Sequence, residues 1–442
     1  MNTPRILFFF GIWLVVSLFC NDTTNYGAIY LGVNIRPDRI IYAVLILEFL
    51  RQYRWSGRKV PWILEEKFMV VFFLILLLSC FLFGAAFAPR NRYLSELFGF
   101  SFVPATLFIM SRRLTYDLRS LRVLWKALLT VGFYLGFTGV CEQYNLNALV
   151  FPKYILDPTI GIHFDRVRGP FVQAAMMGGA MIAVGLLILW YHFNIRKFWL
   201  NWVVCIALLA SIYWTNTRGV WLQLAGSLAP LAVFRGPLRK AMRYFMLLAV
   251  VAYFAGIASK FSAYQTTLFG ERAAQVDDRI NIYHASWRMF LERPLLGFGY
   301  GNFLKYSNAY FEQLPGVELR GQGEGQHNTI LGLMCETGII GTIPYCLIYF
   351  LFFRTCYRRF RYVDSAHGQE RSFALIQFAL LSGTVVGMQF SDFGFYSYLN
   401  NLIFWTTAIA YTRFETATGE SSLESSELLE AAVLKEPALA VM

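Results

Sequence analysis

Long apolar runs alternate with short polar segments along most of the chain. About twelve of these runs are long and apolar enough to cross a hydrocarbon core of about 30 Å. They lie near residues 5–20, 39–50, 68–88, 93–111, 125–142, 171–192, 198–214, 219–234, 244–259, 328–353, 372–390 and 397–412. The pattern predicts an all-α polytopic membrane protein with about twelve transmembrane helices, in which residues 1–413 form one transmembrane domain.

Three segments interrupt this alternation of helix and short loop. A polar connection covers residues 143–170, and a long loop, residues 260–326, is inserted between the ninth and tenth predicted helices. Residues 414–442 are acidic and rich in serine, with too few apolar side chains to pack, so they predict a disordered tail.

Composition and charge place the chain in a membrane and orient it. The sequence is 57% hydrophobic and 15% charged, which is more apolar surface than one soluble core can bury. The net charge of +12 does not indicate a nucleic-acid partner, because 24 Lys and Arg lie in the loops on one side and 8 in the short loops on the other. Both termini and the acidic tail are therefore predicted to be cytoplasmic, with the long loop on the outer side and membrane lipids around the helices.

The first apolar run does not predict a cleaved export signal, and the cysteines do not predict a metal site. The first run ends in SLFC, where a bulky Phe19 precedes Cys20, so we expect a retained anchor instead of a cleaved leader. The seven cysteines are scattered without a CxxC pair, which is typical of small core residues and not of metal ligands.

Candidate chemistry concentrates at the outer ends of the predicted helices. His327 lies where a glycine-rich polar loop meets the tenth apolar run, and the predicted topology brings Arg166, Arg168, Arg218 and Arg279 to the same level. Arginine binds phosphate oxygens with a planar set of donors, and helix N-termini add partial positive charge. Neighbouring cations favour a neutral histidine, which can accept a proton from a hydroxyl.

Each of these residues also has a structural interpretation. Arg166 and Arg168 could contact lipid head groups, Arg218 could bind carbonyls at a helix end, and Arg279 could pair with Asp277 or Asp278. A histidine at an interface is often structural. The candidate accessory residues Arg166, Asn328 and Glu336 complete the set; Glu336, inside the tenth run, could serve function or bind a structural partner. We expect no metal and no cofactor, although Asp165, Asp277 and Asp278 offer oxygens.

The long loop contains two further patterns. Residues 271–294 predict a helix that begins at Asp277 or Asp278, ends before Pro294 and carries Arg279, Tyr283 and Ser286 on one face. The following LLGFGYGNF has the composition of a re-entrant or interfacial loop, and its aromatic residues could stack on sugars or rest on the bilayer.

Four motifs together resemble the O-antigen ligase superfamily. They are RGPFVQAAMMGGAM, TNTRGVWLQLAGS, RINIYHASWRMFLERPLLGFGYGNF and GQHNTILGLMCETGIIGTIPY, in this order within residues 160–355. The resemblance implies a C-type membrane glycosyltransferase of the bacterial inner membrane that moves a glycan from undecaprenyl diphosphate to an acceptor on the periplasmic face. It also implies inversion at the anomeric carbon without a metal.

The resemblance also assigns residues to roles. Arg218 of TNTRG and Arg279 of DDRIN would hold the diphosphate, with Arg168 of RVRGP as a further member, and His327 of QHNT would be the catalytic base. Some ligases carry a second histidine beside the first, whereas here its neighbours are Gln326 and Asn328. The acceptor therefore stays open between lipid A core, a growing glycan and a protein side chain, and so does the choice of ligase or polymerase.

Two other classes of function remain alternatives. About twelve spans is a common size for a transporter of a lipid-linked or anionic substrate, although the ionisable residues gather at one face and no repeat with interrupted helices is evident. A non-catalytic scaffold of a polysaccharide assembly machine is the second alternative.

Overall fold

The computed structural model is almost entirely helical. It describes residues 2–20, 26–30, 34–57, 59–84, 92–234, 243, 267–363, 367–391 and 397–414. Helices α1 to α6 span Thr3–Val16, Pro37–Ser56, Leu64–Leu82, Arg92–Leu97, Val103–Arg112 and Leu118–Gln143. Helices α7 to α14 span Ala174–Asn194, Trp199–Trp214, Arg218–Val233, Thr267–Glu292, Phe303–Tyr306, Thr329–Tyr362, Gly368–Met388 and Ser397–Ile409.

Smaller elements connect these helices. A π-helical segment, Phe98–Phe102, joins α4 to α5. The short strands Ile29–Tyr30 and Asn34–Ile35 pair antiparallel before α2. Single 3₁₀ turns lie at Lys153–Leu156, Gly169–Phe171 and Ser307–Tyr310.

Five helical stretches of the described residues are long and apolar enough to cross a membrane. They are Tyr93–Arg112, Leu118–Gln143, Ala174–Asn194, Thr329–Tyr362 and Gly368–Met388, and two shorter apolar helices are Thr3–Val16 and Trp199–Trp214. The predicted run at 244–259 and the first residues of the long loop lie outside the described residues. The chain is thus a helical protein of membrane type, and the count of twelve spans stays a prediction.

The helices pack into one bundle around an apolar interior. α13 packs against α9 and α12, α6 against α1, α7 and α8, α14 against α5, and α12 against α3. The α9–α13 pair approaches closely because Gly383 has no side chain: a Cβ there would overlap Ser227 Oγ on α9. Small residues commonly let membrane helices approach in this way.

One end of the bundle is held together by buried arginines and carboxylates. At this end, Glu66 is buried between Arg112 and Arg113, and Arg359 donates to the carbonyls of Tyr411 and Thr412, each at 2.8 Å. Arg359 also lies 3.6 Å from Glu370 at the start of α13. Arg112, Arg113 and Arg359 therefore all have partners at this end of the bundle, where α12 ends.

Phe414 belongs to the same end, because its backbone amide donates to Glu370 Oε1 at 2.8 Å. The predicted tail began at this residue, and its other residues, 415–442, lie outside the described part of the chain. Its predicted disorder stays a prediction.

Helix α12 is broken where the glycine-rich segment docks on it. Gly338 has φ 60° and ψ −160° inside α12, and a Cβ there would overlap the carbonyl group of Leu295. The amides of Ile339 and Ile340 bind the carbonyls of Pro294 and Leu295 at 2.9 and 3.3 Å. In return the amides of Phe298 and Gly299 bind the carbonyls of Cys335 and Glu336 at 2.9 and 2.8 Å. Residues 294–303, called the docked loop below, thus replace the missing hydrogen bonds of the helix.

The length of α12 indicates how deep this break lies. The part after Gly338, residues 339–362, extends about 36 Å at 1.5 Å per residue, enough to cross a hydrocarbon core of about 30 Å. Gly338 lies about 24 Å along the axis from Arg354, where the basic end begins, and His327 lies on the other side of the break.

The start of α10 differs from the sequence prediction. The helix begins at Thr267, so Asp277 and Asp278 lie in its middle and do not cap it. Asp277 accepts from the amide of Glu318 at 3.4 Å, and Asp278 pairs with Arg320 at 3.3 Å. The capping prediction was wrong because acidic residues that bind a later loop resemble caps in sequence. The predicted end is confirmed, since the helix stops at Glu292 before Pro294.

We predict that Gly338→Ala lowers the midpoint of thermal unfolding much more than Gly185→Ala. Alanine at 338 adds a strained backbone, worth about 1–3 kcal/mol, and a clash with Leu295. Gly185 in α7 is the matched control, because a Cβ there lies 3.6 Å from Leu208, an ordinary contact. Fluorescence-detected size exclusion after heating measures both; equal midpoints would contradict the docking described here.

Candidate active site

His327 lies in a tight polar turn just before α12. Its backbone has φ 51°, in the left-handed region that side chains other than glycine rarely adopt. Its side chain is 37% exposed, and Nε2 lies 3.4 Å from Glu324 Oε2. The imidazole is therefore accessible to a substrate and has a carboxylate close enough to orient it.

The first turn of α12 is fastened to residues 389–391, called the junction segment below. Asn328 caps α12 by accepting from the amide of Leu331 at 3.0 Å, and its Nδ2 donates to Gln389 Oε1 at 3.2 Å. Thr329 Oγ1 donates to the carbonyl of Ser391 at 2.9 Å. Asn328, expected as an accessory residue, thus acts in the structure as a helix cap and anchor.

The junction segment also brings the two predicted diphosphate-binding arginines to one place. The Cζ atom of Arg279 lies 5.9 Å from the centre of the Phe390 ring. The same ring packs on the N-terminus of α9, since a Cβ on Gly219 would lie 3.2 Å from Phe390 Cβ. Arg218, the first residue of α9, therefore starts beside the ring that Arg279 covers.

Both guanidinium groups are available for an anion. Arg218 and Arg279 are exposed, and neither forms a hydrogen bond or an ion pair with another residue in the described part of the chain. The expected pairing of Arg279 with Asp277 or Asp278 does not occur, because Asp278 pairs with Arg320 and Asp277 binds a backbone amide. Exposed and unpaired arginines are suited to phosphate oxygens, and Arg218 also lies at the N-terminus of α9, which adds partial positive charge.

Arg166 and His163 form a second group facing the same region. The amide of Arg166 donates to the carbonyl of His163 at 3.2 Å, and its Nε lies 3.7 Å from Asp165 Oδ2. Partial desolvation lowers the pKa of His163, the charge of Arg166 lowers it further, and Asp165 opposes both. His327 also lowers the pKa of His163, so the two histidines are close enough for their charges to interact. No pattern in the sequence singles out His163.

Arg168 is used differently from the prediction. The residue is 1% exposed. Its guanidinium donates to the carbonyls of Ile155, Asp157 and Ile160 at 2.8, 2.6 and 2.6 Å. A diphosphate could bind this guanidinium only if its hydrogen bonds to the three loop carbonyls were broken. Arg168 thus holds residues 155–168 together, and Arg166 is the arginine of this motif that faces the histidines. The sequence did not distinguish them because both precede the same helix.

Glu336 connects the docked loop to the turn that carries His327. This buried carboxylate accepts from the amide of Phe303 at 3.1 Å and from Gln326 Nε2 at 3.3 Å. Gln326 directly precedes His327, so Glu336 fixes the position of that turn from below. Of the two interpretations of Glu336, its contacts with these two amide groups favour the structural one.

The aromatic side chains of the docked loop are not placed for sugar stacking. Phe298, Tyr300 and Phe303 are between 2% and 7% exposed and belong to the protein interior. Phe298 packs against Tyr306 and Tyr310, with ring centres 5.4 and 5.6 Å apart. In the described part of the chain no three His, Cys, Asp or Glu residues form a group suited to a metal ion.

A comparison with protein families matches this region of the chain. Residues 203–346 match the family model described as Wzy_C, O-Antigen ligase. This stretch of the chain therefore matches an O-antigen ligase domain. The match confirms the resemblance to the O-antigen ligase superfamily and is consistent with a glycan ligase or polymerase type of membrane enzyme. No curated protein matches the chain.

The O-antigen ligase domain does not contain every residue of the candidate site. Arg218, Arg279, His327 and Glu336 lie within residues 203–346. The junction segment and the loop of His163 and Arg166 lie outside this range, on the C-terminal and N-terminal sides respectively. The candidate site therefore combines the matched domain with helices that flank it.

We predict that Arg168→Ala destabilises the protein, whereas Arg166→Ala leaves its stability nearly unchanged. Loss of the Arg168 guanidinium leaves three carbonyls without this donor, and the buried one, of Ile155, alone costs about 1–3 kcal/mol when unpaired. Arg166 is the matched control two residues away. Thermal unfolding in detergent distinguishes the pair, and a fully stable Arg168→Ala variant would contradict the assignment.

Proposed function

We propose that this chain is an inverting membrane glycosyltransferase that transfers a glycan from undecaprenyl diphosphate to an acceptor hydroxyl. His327 is the base, and Arg218 and Arg279 bind the diphosphate. One observation carries the proposal: the junction segment bonds to the first turn of α12, and its Phe390 contacts both arginine-bearing elements. The O-antigen ligase domain supports the same class of reaction.

In the proposed reaction the histidine acts on the attacking hydroxyl and the arginines act on the leaving diphosphate. A ring nitrogen of His327 takes the proton of the acceptor hydroxyl, whose oxygen attacks the anomeric carbon of the donor sugar. The bond from that carbon to the phosphate oxygen breaks, and undecaprenyl diphosphate leaves with the electron pair. Attack opposite the leaving group inverts the anomeric carbon.

Electrostatics support these roles. Negative charge develops on the departing diphosphate, where two guanidinium groups stabilise it in the transition state more than in the ground state. Glu324 Oε2, 3.4 Å from Nε2, suits an Nε2–H donor and leaves Nδ1 of His327 to accept the proton. The arginines supply the positive charge that a divalent ion would otherwise provide, so the proposed reaction needs no metal.

The position of the site fits a donor anchored in the bilayer. The basic end of α12 lies on the side that the positive-inside rule assigns to the cytoplasm, and His327 precedes the opposite end of this helix. We therefore place the site on the periplasmic face of a bacterial inner membrane, just beyond the hydrocarbon. A transporter is less consistent with this arrangement, because its ionisable residues would gather near the midplane.

The acceptor is proposed only as a hydroxyl group. Lipid A core, a growing glycan and a protein side chain all present one, and all could approach the exposed imidazole of His327 from the periplasm. The proposal therefore covers both a ligase and a polymerase.

We predict that His327→Ala lowers turnover by about 100-fold or more, because a positioned base typically contributes this much. Arg218→Ala and Arg279→Ala should also lower turnover strongly. The assay measures release of undecaprenyl diphosphate from a lipid-linked glycan in nanodiscs with EDTA present.

Two residues of α10 provide matched controls for this experiment. His284 lies 3.5 Å from Glu312, much as His327 lies 3.4 Å from Glu324, and Arg288 pairs with Glu312 at 2.8 Å. His284→Ala and Arg288→Ala should keep near-normal turnover. A folded His327→Ala variant with normal turnover would show that the histidine is structural, and loss of wild-type activity in EDTA would contradict the metal-free scheme.

A further inference from the structure

A tyrosine on α10 contacts both parts of the candidate site. The hydroxyl of Tyr283 lies 2.9 Å from the carbonyl of Gln389 and 3.2 Å from the carbonyl of His327, so its one proton is shared between the two acceptors. Gln389 belongs to the junction segment, which Arg279 approaches through Phe390. Tyr283 therefore lies where α10, the turn of His327 and the end of α13 meet.

Other contacts tie α10 to the loop that precedes the turn of His327. Asn281 Nδ2 donates to the carbonyl of Glu318 at 2.6 Å, and Asp278 pairs with Arg320 at 3.3 Å. These two contacts hold residues 318–320, well before the histidine. Tyr283 acts directly at His327 itself, whose left-handed backbone needs surrounding contacts to persist.

The spacing along α10 relates Tyr283 to the proposed donor-binding residue. Arg279 lies four residues before Tyr283, so the two side chains project from the same face of the helix. The tyrosine ring packs against the small core formed by Ile282, Met289, Phe298, Phe303 and Cys335. This packing fixes the ring, so its hydroxyl serves as a rigid link from the helix of Arg279 to the backbone of His327.

We propose that Tyr283 is a positioning residue that sets the distance between the base His327 and the diphosphate held by Arg279. The inference rests on the proposed function and adds a role for a residue that does not touch substrate. The reaction requires His327 and the bound diphosphate to be correctly placed relative to each other. A shift of about 1 Å in their positions can lower the rate about 100-fold. Tyr283 links these groups through the His327 and Gln389 carbonyls.

The test replaces Tyr283 with phenylalanine, which keeps the ring and its packing but removes the hydroxyl. We expect kcat for undecaprenyl diphosphate release to fall about 10- to 100-fold. The KM for the lipid-linked donor should stay within about threefold, because Arg279 keeps its contact with the Phe390 ring and Gly219, next to Arg218, stays packed against Phe390. The unfolding midpoint should match that of the control.

Tyr310→Phe is the matched control. Its hydroxyl donates to Glu292 Oε2 at 2.6 Å, on the same helix but away from His327. This variant should keep the kcat of the wild type. That result would show that removing a tyrosine hydroxyl that binds α10 does not by itself reduce turnover.

Two results would overturn the inference while leaving the proposed function intact. One is an active wild type, an inactive His327→Ala and a Tyr283→Phe variant with kcat within about twofold of wild type. The other is a fall in kcat together with an unfolding midpoint clearly below that of the control variant, which would show that Tyr283 acts on stability. A wild type that releases no undecaprenyl diphosphate would instead overturn the proposed function, and this inference with it.

Discussion

The hydrogen bonds between the first turn of α12 and residues 389–391 hold the candidate site together. Asn328 and Thr329 bind Gln389 and Ser391, and Tyr283 adds a bond from α10 to the same segment. Phe390 in the middle of this segment lies under Arg279 and against the start of α9. Side chains separated by more than 100 residues along the chain thus share one end of the bundle because three residues after α13 contact all their elements.

The break in α12 supports this arrangement from below. Gly338 allows the docked loop to satisfy backbone groups that an intact helix would have paired internally. Glu336, two residues before the break, binds both that loop and Gln326 beside His327. Unpaired backbone groups near hydrocarbon are costly, so the loop and the helix stabilise each other and fix the height of the histidine.

Much of the helical framework could be predicted from hydropathy, whereas the contacts of individual polar residues could not. The predicted runs at 198–214 and 219–234 agree with α8 and α9 within one residue, because apolar side chains define both helices. The run at 328–353 underestimated α12, whose last turns carry arginines that a hydropathy criterion excludes. Asp277 and Asp278 suggested a helix start that the structure does not have.

The candidate site shows the same limit. Arg218, Arg279 and His327 were identified from their charge and their place at helix ends, and the structure brings their elements together. Arg166 and Arg168 differ by two positions in one motif, and only the folded loop shows that Arg168 turns inward. His163 and Phe390 gave no distinct signal, since a lone histidine and a phenylalanine after a helix are common. Their roles depend on contacts between distant segments.

A cryo-electron microscopy map of the protein with undecaprenyl diphosphate in nanodiscs would show where the diphosphate binds. We expect phosphate density within hydrogen-bond distance of Arg218 and Arg279 beside Phe390, with the imidazole of His327 facing the open side of the diphosphate. Diphosphate bound at another end of the bundle, or held without contact to either arginine, would contradict this expectation.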